Sequence, residues 1–303
     1  MIRLSDHLTE TFGEKVYKLS LSSGCTCPNR DGKVGYGGCT FCSQGGSGEF
    51  ASKPAPIDEQ IEEAKKLIRA KSDARLFIAY FQSYTNTYGD VSRLKELYKR
   101  AVSREDIVAL SLGTRPDCLG PEVMDMLKEL SAIKPVWIEL GLQTSNEKTG
   151  RLINRCYTNE DYVDAVKRIR EIAPDIHLVT HLIFGLPDET EEDMLESVKF
   201  VVGRSLNGVE GRSLTAFGLK ITSLYVLQNT RLAQMYESGE YEPLTKEEYF
   251  ALLQKALPLL PENCVVHRLT GDPPKSLLIS PAWPKDKKRV MNKLKEIISD
   301  IHP

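Results

Sequence analysis

Six short apolar runs, each set apart from the next by a helical pattern, limit what this chain can fold into more than any other feature. They lie at 15–21 (KVYKLSL), 75–81 (RLFIAYF), 107–113 (IVALSLG), 136–142 (VWIELGL), 176–184 (IHLVTHLIF) and 218–226 (GLKITSLYV). Each is rich in β-branched or aromatic residues and bounded by breakers, which predicts a strand. Their near-continuous apolar character predicts burial on both faces, as in a parallel sheet. Helical patterns fill the intervals at 58–70, 90–102, 121–130, 159–172 and 190–202; the first carries Ile61, Ala64 and Ile68 on one stripe. Pro121 suits a first helical position, and Glu191, Glu192 and Asp193 follow Thr190 where they complement a helix dipole. Strand–helix alternation predicts right-handed crossovers. The expected fold is α/β, a partial (β/α)6 TIM-like barrel.

Beyond the sixth run, 229–238, 245–257 and 286–298 read as helices, and a Pro-rich stretch between the last two contains one short strand at 264–269. No internal repeat or linker interrupts the chain. The expected organisation is a barrel over 1–228, with a long loop at 22–50, and a C-terminal helical extension over 229–303 packed on it.

The net charge of −2 gives no footprint for a duplex or polyanion. No apolar run approaches the ~20 residues of a membrane span. The start, MIRLSDHLTETFGEK, lacks the apolar region of a signal peptide. The expectation is a cytoplasmic protein with no membrane partner. Seven cysteines in a reducing compartment do not predict a disulfide framework. Four of them fall between Cys25 and Cys42, a clustering that favours metal or catalysis.

These four lie in a glycine-rich loop, SSGCTCPNRDGKVGYGGCTFCSQGGSGEFA, that leaves the first strand on the face where barrel active sites form. Two metal readings compete. Cys25, Cys27, Cys39 and Cys42 could close a structural zinc site. Alternatively, three of them could hold three irons of a 4Fe–4S cubane, which normally takes four thiolates, leaving the fourth iron for a non-protein ligand.

The motif TCPNRDGKVGYGGCTFC resembles the radical S-adenosylmethionine (SAM) proteins of the YhcC/YtqA group, relatives of the Elongator catalytic subunit. The resemblance continues through YFQSYTNTY (80–88), SLGTRPDCL (111–119), ELGLQT (139–144), THLIFGLPDET (180–190) and HRLTGD (267–272). It implies a 4Fe–4S cluster on the C-x11-C-x2-C set Cys27, Cys39 and Cys42, with Cys25 outside the ligand set, and SAM on the open iron. It implies SAM contacts from Phe41 beside the cluster and adenine, Gln82 at the methionyl amine, and His181 at the ribose. Arg115 would fork onto a carboxylate or cap its turn. Glu139 and Gln143, four apart on one strand face, would meet SAM; an ion pair within the protein is the alternative for Glu139. His181 could equally be a hydrogen-bonded core residue.

Asn29, Arg30 and Asp31 would shape the loop or touch substrate. Arg268 and Asp272 would close the barrel's open side, and His267 shares that ambiguity. GLPDET reads as a SAM-site motif or as a plain turn and helix start. Cys118, Cys156 and Cys264 are isolated and read as buried structural thiols.

The resemblance also implies an external one-electron donor of the flavodoxin or ferredoxin type and a nucleobase-type substrate. A free modified 7-deazaguanine base, as in a queuine lyase, comes first. Transfer RNA modified at a wobble uridine comes second. The slightly acidic charge and the lack of an acetyltransferase segment favour the small substrate. So do Ser22, Ser23 and Gly24 before the first cysteine and Gln228, Asn229 and Thr230 after the sixth strand, where the group usually has other residues. The basic cluster at 285–289 reads as a solvated helix face. A zinc-stabilised binding module without catalysis is the reading of another class.

Overall fold

The computed structural model describes residues 1–46, 48–206 and 217–301. Ser47, within the expected loop 22–50, lies outside the described residues. The chain order is β1 (Ile2–Arg3), α1 (Leu4–Phe12), β2 (Val16–Leu21), α2 (Ile57–Arg69), β3 (Leu76–Phe81), α3 (Val91–Val102), β4 (Ile107–Thr114), α4 (Pro121–Ser131), β5 (Val136–Gln143), α5 (Glu147–Leu152), α6 (Asn159–Ile172), β6 (His177–Phe184) and α7 (Glu191–Leu206). Then follow β7 (Phe217–Ser223), β8 (Val226–Leu227), α8 (Arg231–Glu237), α9 (Lys246–Ala256), β9 (Cys264–Arg268), β10 (Leu278–Ser280) and α10 (Lys287–Ile301).

Eight strands form one parallel sheet in the order β1-β9-β7-β6-β5-β4-β3-β2. The six expected strands are its β2 to β7, so the α/β partial barrel holds. It is wider than expected, because β9 from the C-terminal segment adds to β7 and the two-residue β1 adds to β9. The run 218–226 is also not one strand: β7 ends at Ser223, and β8 turns away to pair with β10.

Alternation along the strands separates two interiors. Leu19, Leu21, Phe77, Ala79, Phe81, Leu110, Leu112, Ile138 and Leu140 face outward into the main core beneath the helices. Their neighbours Lys18, Tyr80, Glu139 and Lys220 face a cavity on the concave side. The strands look apolar throughout because the outward half packs under helices while the inward half is only sparsely polar. The N-terminal helix α1 plugs the bottom. Its Leu8 packs with Val16, Ile78, Ala109 and Trp137, and Gly13 ends it in the left-handed conformation at φ 76°.

Helix starts follow the capping chemistry of the sequence. Asp90 accepts from the Arg93 amide to cap α3, Thr158 and Asp161 form a capping box on α6, and Thr190 and Asp193 exchange the same bonds ahead of α7. GLPDET is therefore a turn and helix start. No helix among the described residues is long and apolar enough to cross a membrane.

Candidate functional site

A cavity of about 430 Å³ opens at the C-terminal ends of the strands. It brings together all nine expected site residues: Cys27, Cys39 and Cys42 with Phe41 on the loop after β2, Gln82 and Arg115 just past the ends of β3 and β4, Glu139 and Gln143 on β5, and His181 on β6. Cys25 is not among them. Its thiol faces the opposite side of the loop, 3.7 Å from Arg93 Nη2.

The loop is folded by its own backbone. The Arg30 and Asp31 amides donate to the Cys27 carbonyl (2.8 and 3.3 Å), the Cys42 amide to the Cys39 carbonyl (3.0 Å), and the Gly38 amide to the Asn29 carbonyl (2.8 Å). Asn29 is fully buried; its Nδ2 donates to the Asn154 carbonyl at 2.6 Å and lies 3.8 Å from Cys39 Sγ. Arg30 donates to the carbonyls of Cys42 and Ser43. Both residues thus shape the loop. Gly46, at φ 63°, leaves room for Tyr84, whose ring would stand 2.4 Å from an added Cβ. Burial pushes the Cys39 thiol up to about 12, with the neighbouring Cys42 acting in the same direction.

Soft thiols suit zinc or an iron–sulfur cluster. Among the described residues no three His, Cys, Asp or Glu side chains converge as one ion requires. Three thiols around one cavity, with the fourth turned away, fit a polynuclear cluster with an open position.

The floor of the cavity is a polar layer built from one residue of each of six strands. Glu139 on β5 is 1% exposed and lies at its centre. One carboxylate oxygen accepts from Lys18 Nζ (2.7 Å) and Ser111 Oγ (2.9 Å). The other accepts from Tyr80 OH (3.0 Å), lies 2.9 Å from His181 Nε2 and pairs with Lys220 Nζ. Lys220 also reaches Tyr80 OH at 3.1 Å. Burial alone would raise the Glu139 carboxyl, but Lys18 and Lys220 hold it well below the usual carboxylate range. Burial pulls the Lys220 ammonium down to about 7 against the attraction of Glu139. Burial, with Lys220 adding repulsion, takes His181 down to about 4, so its ring is neutral at neutral pH.

Two of the expected roles meet committed side chains. Arg115 makes its fork with Asp117 (2.9 and 2.7 Å), donates to the carbonyls of Arg155 and Cys156, and stacks over Tyr157 at 4.7 Å. Glu139 has both oxygens engaged by protein donors. Gln143 sits at φ 70° where the β5–β6 register shifts between Gly141 and Gln143, a bulge that re-aims its side chain over Gly141.

Sequence reasoning missed Lys18, Tyr80 and Lys220. Their signal was a polar residue at an inward position on each strand. It also missed Arg155, a fully buried guanidinium donating to the carbonyls of Leu142 (2.9 Å), Thr144 (2.7 Å) and Tyr157 (3.0 Å). Arg155 fixes the segment whose Asn154 grips the cysteine loop. Arg268 and Asp272 do line the cavity, Asp272 paired with Lys287 at 2.8 Å. His267 lies away from it, at the barrel bottom, stacked on His177 and edge-on to Trp137. Cys264 is buried, but the expected burial of Cys156 is wrong. That residue turns outward at φ 60° where the chain leaves the buried Arg155, and Cys118 is only partly covered.

Residues 24–201 match the Radical SAM superfamily and residues 216–299 the Radical SAM C-terminal domain. The chain is 40% identical to YtqA of Bacillus subtilis over 95% of this chain and 86% of that one. It is 26% identical to the tRNA uridine(34) acetyltransferase of Methanocaldococcus jannaschii over 63% of this chain and 33% of that one. The structure superposes on that of the archaeal Methanocaldococcus infernus Elp3 with a TM-score of 0.64 at 16% identity, covering 92% of this chain and 63% of that one.

Proposed function

Because this chain belongs to the radical SAM superfamily, whose enzymes use a 4Fe–4S cluster and SAM, we propose that Cys27, Cys39 and Cys42 are its cluster ligands and that the cavity beneath them takes SAM and a nucleobase-type substrate. When bound, the cluster and SAM supply a 5′-deoxyadenosyl radical that removes a hydrogen atom from an unactivated carbon.

The rest falls to the chain's own residues. Phe41 packs against the small apolar cluster that contains Ile153 and Leu232 while lining the cavity, which suits it to flank an adenine. Gln82 and Gln143 offer amide groups at strand ends for SAM. Neutral His181 donates Nε2–H to Glu139, which leaves Nδ1 as the acceptor a ribose hydroxyl needs. For Arg115 and Glu139 we take the second alternative. Arg115 fixes the strand exit through Asp117 and Tyr157, and Glu139 orients His181, Lys18 and Lys220.

One observation carries the reading: three thiols share a cavity with the strand-end polar groups, and the fourth faces away. Anaerobic reconstitution with iron and sulfide tests it. Cys25→Ala should retain the cluster and reductive formation of 5′-deoxyadenosine. Cys39→Ala should lose both. A Cys39→Ala variant that still cleaves SAM, or a Cys25→Ala variant that cannot bind the cluster, would end the assignment.

For substrate, we favour a free modified 7-deazaguanine base over transfer RNA. A small cavity with donors from Lys18, Lys220 and Arg268 and acceptors from Asp272 and Glu49 suits the edge of a free base. The basic cluster at 285–289 is partly spent on local acids, through Lys287 with Asp272 and Arg289 with Asp286. The transfer-RNA reading draws support from the likeness to the uridine(34) acetyltransferase. Consumption of free 7-deazaguanine bases, set against modification of unmodified transfer RNA with salt-sensitive binding, separates the two.

A further inference from the structure

The polar floor does not end at Lys220. The β7–β9 register sets Arg268 beside it, and both side chains line the cavity. Lys220 is buried, whereas Arg268 stands exposed on the open side of the half-barrel. Arg268 makes no ion pair among the described residues.

Charge in this region is out of balance. Lys18 and Lys220 share the single carboxylate of Glu139, whose two oxygens also serve Ser111, Tyr80 and His181. Among the described residues, five cationic side chains line the cavity against three carboxylates, Glu49, Glu139 and Asp272. Ion-pair partners outside the cavity leave the excess of two in place, since Asp117 answers Arg115 and Lys287 answers Asp272. Glu49 receives the Ser43 hydroxyl and forms no ion pair with Arg268. Burial, and then repulsion from Lys18 and Arg268, pulls the Lys220 ammonium down against Glu139. A buried cation short of counter-charge is costly, and an anion beside it removes that cost.

We propose that Arg268 and Lys220 form an anion subsite that takes a carboxylate of the substrate; resting on the nucleobase reading, the substrate is then a carboxylate-bearing base. Gln82, Gln143 and His181, the residues assigned to SAM, stand past the end of β3, on β5 and on β6. Lys220 and Arg268 lie beyond His181, on β7 and β9, towards the open side. They are placed for what SAM acts upon. The Arg268 guanidinium offers a planar fork that matches a planar carboxylate, and Lys220 adds a point charge at its buried end.

Isothermal titration calorimetry on the reconstituted holoenzyme with SAM present tests the subsite. The probes are two pairs that differ in charge: 7-deazaguanine-7-carboxylate with its 7-carboxamide, and benzoate with benzamide. Each carboxylate should bind about tenfold or more tighter than its amide, and the preference should weaken with added salt. Arg268→Gln should abolish the preference. Arg268→Lys, which keeps the charge and loses the fork, should retain part of it. Equal affinity within both pairs, or a preference that survives Arg268→Gln, would overturn the subsite. So would a loss of SAM affinity in Arg268→Gln as large as the loss for the carboxylate, because the two cations would then serve the cofactor. Tighter, Arg268-dependent binding of inorganic phosphate would refute the choice of a carboxylate. A preference seen with benzoate while neither base binds would uphold the subsite and sink the nucleobase reading. Cluster loading and SAM cleavage are measured before the probes are added, so failure of the enzyme reading is told apart from failure of the subsite.

Discussion

Replacing Glu139 by glutamine removes the only negative charge from the polar layer and keeps its shape. Lys18, at 2.7 Å, and Lys220 then face each other across a neutral amide in a buried site. At an effective dielectric of about 20, each ion pair is worth about 5 kcal/mol. The loss has a ceiling, because a lysine can release its proton instead. Lys220 already sits at about 7, so its neutralisation at pH 7 costs little. The net destabilisation should be about 3–5 kcal/mol, the range for breaking a buried pair on one side. For a chain of this size that lowers the melting temperature by about 10 °C.

The pH dependence gives a sharper check. Glu139 is what raises Lys220 towards 7, so in the variant Lys220 titrates lower still and is neutral in the fold at a pH where the parent keeps it charged. Just below pH 7 the unfolded variant therefore binds one proton more than the folded variant, whereas the parent does not, and stability of the variant should rise relative to the parent as pH increases towards 7. Urea unfolding followed by circular dichroism at about pH 5.5 and pH 7 measures both quantities. Adding Lys220→Met to Glu139→Gln should restore about half of the loss, since a buried amine that has lost its carboxylate partner goes with it. A deficit below about 1 kcal/mol at pH 7, or one that does not shrink with rising pH, would refute the picture of a charge-compensated floor.

His181 titrates at about 4 in the fold, below the ordinary imidazole value. Its contribution is complete above pH 6.5 and is lost as pH falls towards 4, to a limit of about 3 kcal/mol. His181→Gln should flatten the acid side of the stability profile, and an unaltered profile would exclude the burial of a neutral ring. Arg155→Met leaves the carbonyls of Leu142, Thr144 and Tyr157 without their donor. It should cost about 3 kcal/mol or more and lower the iron retained after reconstitution, because Asn154 then loses its hold on the loop; full iron loading at parental stability would contradict this. Gly46→Ala forces a side chain into a left-handed position against Tyr84, a cost of about 1 kcal/mol before the clash is counted. Its far-ultraviolet spectrum should be unchanged while iron per chain falls, and parental iron content would show that the loop has slack.

The strands were legible because burial on both sides leaves long apolar runs, and the cysteine loop because its spacing and setting are specific. The floor of the cavity was much less so. Lys18 and Lys220 are charged residues inside strands, and on sequence grounds a charge there reads equally as an exposed edge. Only the register, which sets His181 beside Lys220 and Tyr80 beside Ser111, converts them into one layer. Arg155 stands in a polar stretch where nothing in the local pattern marks burial. Two residues of β1 are too few for any periodicity. The outward turn of Cys25 follows from the path of the loop, and a count of cysteines carries no trace of it. Glu139 showed the reverse: its need for a partner was plain, and the partners proved to be neighbouring strands.

The pairing of β1 with β9 joins Ile2 to Val265 and Arg3 to Val266. The rim of the half-barrel is thus closed by segments drawn from opposite halves of the sequence. During synthesis the first strand has no place to settle until β9 has emerged, so the order of assembly cannot follow the order of the chain. Contacts of such long range make for slow folding. Until β9 arrives, the β7 edge stays open beside Lys220, and the enzyme's own interior is the surface most exposed to mispairing.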